Sequence, residues 1–129
     1  MVPPPNVKIH ELPASTIWFD EHGILYSIAK NVPQTMDETK EAMVKLRGIL
    51  QGKKVCMLSD NTDSAPINKE IRDYAAEVIP EVAKAIAIIS NSSVGKMAAN
   101  LFFLLKKQPY PVKFFNDEME AKKWLMQYL

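Results

Sequence analysis

Between Ala85 and Phe115 the chain reads, in order, as an apolar run (Ala85 to Ile89), a hydroxyl-rich turn, a segment with apolar residues at helical spacing, and a second apolar run (Val112 to Phe115). The turn is Ser90, Asn91, Ser92 and Ser93, and the segment after it carries Val94, Met97, Ala98, Leu101, Phe102 and Leu105. Strand, turn, helix and strand form a βαβ crossover, which makes the two strands parallel and sets the polar turn at the C-terminal end of the first. Open α/β sheets place their ligands at that end.

The rest of the chain is built around this unit. Thr16 to Phe19 and Ile24 to Ile28 are β-rich runs joined by Asp20-Glu-His-Gly23, whose glycine can take positive φ, so they read as a hairpin. Thr35-Met-Asp-Glu38 has the spacing of a capping box and predicts a helix carrying Met36, Met43, Leu46 and Leu50 on one side, ending near Gln51-Gly52. Val55 to Ser59 is a short apolar strand leading into the polar loop Asp60-Asn-Thr-Asp-Ser64. Asn68 caps a second helix with Ile71, Tyr74, Ala75 and Val78 on one face, and Pro80 ends or kinks it. Lys106 and Lys107 close the helix of the crossover, and Pro109 and Pro111 set the exit into the last strand. Either Asn116 or Asp117 caps a terminal helix presenting Ala121, Trp124, Leu125 and Tyr128. The predicted order is ββαβαβαβα, an α/β fold with a mixed sheet of about five strands packed with about four helices. Residues 1–14, with three consecutive prolines, read as a flexible arm, and 15–129 as a single domain.

Lysine plus arginine number 16 against 15 aspartates and glutamates, so no global field attracts nucleic acid. No apolar run approaches the roughly 18 residues of a spanning helix, and the N-terminus lacks the pattern of a signal peptide. The one cysteine, Cys56, excludes an intrachain disulfide and sits in an apolar run as a small buried hydrophobe. A reducing, cytoplasmic setting is the expectation.

Motifs that would carry chemistry are incomplete. Ser90 to Lys96 contains Gly95-Lys96 between strand and helix, but a phosphate-binding loop needs glycine where Ser90 stands and a hydroxyl where Met97 stands. The turn can still hold one small anion, or simply cap its helix. His10 and His22 are the only histidines, no zinc ligand set accompanies them, and Cys56 in mid-strand is badly placed as a nucleophile. No catalytic residue, metal or cofactor is therefore assigned. Asp60, Asn61, Thr62, Asp63 and Ser64 leave a neighbouring parallel strand and should converge with Ser90, Asn91, Ser92 and Ser93 at one edge of the sheet. Such residues form turns by themselves, and Thr62, Ser64 or Ser92 could also accept a phosphate. Arg72 could reach back to pair with Asp60, Asp63 or a bound anion. Leu101, Phe102, Phe103, Leu104 and Leu105 are apolar nearly all round, which suits a packed helix or, with one side exposed, a partner or membrane-contact face.

Several stretches resemble a known group: Pro66-Ile-Asn-Lys-Glu-Ile-Arg72, the strand-turn-helix from Ala85 to Asn100, Lys107-Gln-Pro-Tyr-Pro111, and the ending Phe115 to Ala121 with Trp124-Leu125. Over about Ile17 to Leu129 the chain is similar to the small bacterial STAS or SpoIIAA-like proteins. These are related in fold to anti-sigma-factor antagonists and to lipid-binding CRAL-TRIO domains. In the antagonists a regulatory serine lies in an Asp-Ser-Ser-Gly-like sequence; here Asp63-Ser64 is followed by Ala65-Pro66, so the second serine and the glycine are missing. The resemblance implies a non-enzymatic module that binds a protein partner or a small, lipidic ligand, in a group whose members often associate as dimers. The leading expectation is binding at the C-terminal edge of the sheet. Two alternatives stay open: a hydrophobic-ligand or peripheral membrane-surface protein using the 94–107 helix, and a small-anion-binding enzyme of unknown reaction.

Overall fold

A computed structural model describes residues 1–90 and 108–129. It contains one sheet of six strands in the order β1 (His10–Leu12), β2 (Ser15–Phe19), β3 (Leu25–Ala29), β4 (Val55–Asp60), β5 (Ala83–Ile89) and β6 (Val112–Phe115). The first three are antiparallel neighbours, and β3 to β6 run parallel. Among the described residues the helices are α1 (Met36–Leu50), α2 (Lys69–Val78) and α3 (Glu118–Leu125). The expected segment 94–107 lies outside the described residues.

The start signals act as their chemistry requires. Thr35 Oγ1 accepts the Glu38 amide at 3.1 Å and Glu38 Oε1 accepts the Thr35 amide at 3.2 Å, a complete capping box. Asn68 accepts the Ile71 amide at 2.9 Å, and Asp117 accepts the Glu120 amide at 2.9 Å. Asp117, not Asn116, is thus the cap of α3. Pro80 sits in a single 3-10 turn (Ile79–Glu81) directly after α2, where its missing amide ends the α-helix. The hairpin closes through Asp20, whose Oδ1 accepts the amides of His22 and Ile24, both at 2.9 Å, with Gly23 at φ 79°.

The sheet has six strands where about five were expected, because β1 lies inside the stretch read as an arm. Leu12 packs against the apolar cluster under α1, and Glu11 ties the strand down. Its Oε2 accepts from Thr16 Oγ1 at 2.9 Å and pairs with Lys30 at 2.7 Å. The proline-rich start gave no sign of these partners.

Period-2 alternation sends alternate side chains to two covered faces. On one, Trp18, Tyr26, Cys56, Leu58, Ala85, Ala87 and Ile89 pack with Ala121 and Leu125 of α3, and Met1 and Val7 lie against the same cluster. On the other, Ile17, Leu25 and Val55 meet Leu50, Leu46 and Met43 of α1, while Ile86 and Ile88 continue beside Tyr110. Burial on both faces explains why β4 and β5 read as unbroken apolar runs.

Candidate functional site

All four parallel strands end along one edge of the sheet. Asp60 and Ile89 are register partners there, and the Asn61 amide donates to the Ile89 carbonyl at 2.8 Å. The chain therefore leaves β4 at Asn61 and β5 at Ser90 side by side. The turn after β4 is tightened by its own groups: Asp60 Oδ1 accepts the Thr62 amide at 3.0 Å, and the Ser64 amide donates to the Asn61 carbonyl at 3.1 Å.

A cavity of about 280 Å³ opens at this edge, between the segment that precedes α1 and the segment that begins α2. Ser15, Ser27 and Ala29 line it from the strands, Lys30, Val32, Pro33 and Gln34 from one side, and Asn61 and Ser64 to Asn68 from the other. Its origin is a change of residue type along one face. Ile17 and Leu25 on that face are 2% and 3% exposed, but two residues nearer the edge the same face carries Ser15 and Ser27, and Ser59 is the register partner of Ser27. Small hydroxyl side chains leave space where an isoleucine or leucine would fill it.

Lys30, the one charged side chain in this lining among the described residues, is already committed. Its ammonium pairs with Glu11 at 2.7 Å and donates to the Leu12 carbonyl at 3.0 Å. The Lys30 and Thr16 hydrogen bonds hold the Glu11 carboxyl below its ordinary pKa, in that order of effect.

Of the residues expected from sequence, Asn61 and Ser64 line the cavity, with Ser64 Oγ donating to the Ala65 carbonyl at 3.2 Å. Asp60, Thr62 and Asp63 belong to the adjoining turn and do not line it. Arg72 forms no ion pair with Asp60 or Asp63, and its Nε is buried without a hydrogen-bond partner. Ser90 is 2% exposed, too deep to present its side chain at the surface. Asn91, Ser92 and Ser93 and the apolar block Leu101, Phe102, Phe103, Leu104 and Leu105 lie outside the described residues. Ser15, Ser27, Lys30 and Gln34 were not foreseen, although a serine at an inward position of a strand was the available signal.

The opposite end of the sheet holds a separate cavity of about 520 Å³, lined by Trp18, Asp20, Tyr26, Glu118 and Lys122 and by Val2, Pro4 and Val7 of the N-terminal segment. Trp18 and Tyr26 stack there with ring centroids 5.4 Å apart. Burial, reinforced by Asp20, Glu118 and Glu21, pushes the Tyr26 phenol up to about 12. Lys122 offsets part of this acidity, 3.7 Å from Asp20 and 3.9 Å from Glu21.

Comparison with known proteins supports the fold. An uncharacterized DUF3478-family protein from Shewanella loihica PV-4, with a SpoIIAA-like fold, superposes with a TM-score of 0.58 at 20% identity, covering 92% of this chain and 91% of that one. A protein of unknown function from Arthrobacter sp. FB24 aligns over 93% of this chain and 98% of that one at 23% identity, but its TM-score of 0.31 does not bear on the fold. No curated protein matches the sequence. The architecture is SpoIIAA-like, and with a family model matching residues 17–129 the chain belongs to DUF7793, a domain of unknown function.

Proposed function

We propose that this protein is a non-enzymatic binding module of SpoIIAA-like type that takes a small ligand or a partner's side chain at the C-terminal edge of its sheet. The observation carrying this reading is the edge cavity, where hydroxyls and amides from β2, β3 and the loop after β4 converge on one space. A recess with a few convergent polar groups is the usual form of a small-ligand site, and at about 280 Å³ this one suits a small occupant. The polar groups are serine hydroxyls and carboxamides, which recognise by hydrogen bonding and are poor nucleophiles and bases without an activating neighbour.

A ligand-observed NMR screen of polar fragments tests the reading, with Ser27→Leu as control because the added isobutyl group fills the cavity floor. Hits on the native chain should weaken about tenfold or more in that variant, a loss of ~1.4 kcal/mol. Hits that survive the substitution unchanged would move the site elsewhere.

A further inference from the structure

We infer that the edge cavity takes a small uncharged amphiphile, with a hydroxyl or amide head seated on the serines and a short aliphatic body at the mouth; this rests on the cavity being the binding site. The head is assigned by what the floor offers. The hydroxyls of Ser15 and Ser27 and the carboxamide of Asn61 line the space and bond to no other group among the described residues. Each can donate and accept, so together they match a head that does both.

The charge of the head follows from what the lining lacks. No carboxylate lines the cavity among the described residues, and its one cation, Lys30, is held by Glu11 at 2.7 Å and by the Leu12 carbonyl at 3.0 Å. Neither a cationic nor an anionic head would find a free counter-charge to offset the loss of its water, whereas a neutral head gives up much less. The body is assigned by the mouth. Val32 and Ile67 face solvent there, 43% and 44% exposed. No aromatic side chain lines the cavity among the described residues, so a flat ring would find no stacking platform.

The test holds the body constant and changes only the head. Hexanamide, 1,2-hexanediol, hexanoate and hexylammonium are titrated into the 15N-labelled full chain, with the Ser27, Asn61 and Ser64 amides as reporters. The two neutral probes should shift these signals and bind about tenfold or more tighter than either charged probe. Glu11→Gln releases Lys30 and should bring hexanoate to parity with hexanamide, while Ser27→Leu should abolish the shifts of the Asn61 and Ser64 amides. If hexanoate or hexylammonium binds the native chain as well as the neutral pair, the inference is overturned while the cavity remains the site. If none of the four moves the reporters, the inference is equally overturned, and the fragment screen decides separately whether the cavity binds at all.

Discussion

Cys56 shows how far a single residue's fate is written in its neighbours. Lying in the run Val55 to Leu58, it is 1% exposed, and its Sγ faces the Leu125 carbonyl at 3.9 Å. Burial raises the thiol's pKa, outweighing the opposing effect of Lys84, so the thiolate is scarce at neutral pH. A thiol-reactive dye should therefore modify the native protein far more slowly than the urea-unfolded chain, followed by absorbance at one pH. Equal rates would contradict this burial. This environment was legible from sequence, because an apolar run around one cysteine has few other meanings. The serines of the edge cavity were not, since Ser15 and Ser27 gain significance only when β2 and β3 are in register and the segments leading into α1 and α2 stand on either side. Arg72 could pair with Asp60, Asp63 or an anion on the sequence alone, and among the described residues it forms no ion pair with either carboxylate, because a helical position fixes a direction but not whether the facing loop comes within reach.

Elements with strong local chemistry were the most readable. Thr35 with Glu38 specified the start of α1, and Asn68 that of α2, because an oxygen at the cap answers an otherwise unpaired amide. Thr35→Ala should destabilise the fold by about 0.5–2 kcal/mol, measured as a lower urea midpoint with an unchanged slope. Where two caps adjoin, local chemistry cannot choose. Asp117 prevails over Asn116, its carboxylate accepting the Glu120 amide at 2.9 Å at the start of a helix that buries Ala121 and Leu125, both 0% exposed. Strand β1 was invisible for the opposite reason, since a three-residue strand at an edge carries no period and owes its place to Thr16, Lys30 and Lys45. The Lys45 ammonium reaches the Glu11 carbonyl from α1 at 3.1 Å, a contact across 34 residues of sequence.

For the whole molecule, the pattern of apolar runs sufficed to give a mixed sheet with parallel crossovers, and the SpoIIAA-like likeness bears this out. The division of labour between the faces was less evident. Helix α1 serves one face, while α3 and the N-terminal segment serve the other, where Trp18, Leu58 and Leu125 are each at most 1% exposed. Leu125→Ala should cost about 2–5 kcal/mol in urea unfolding, enough to remove a large share of a typical domain's stability. No helix among the described residues is long and apolar enough to cross a membrane. The strand order β1 to β6 is also the order in which a ribosome delivers the strands, so each one emerges next to a neighbour already made. Helix α3, which closes the tryptophan face, comes after all of them. During synthesis that face lacks α3 until the last strand has been added, and apolar surface left waiting in this way is prone to aggregate.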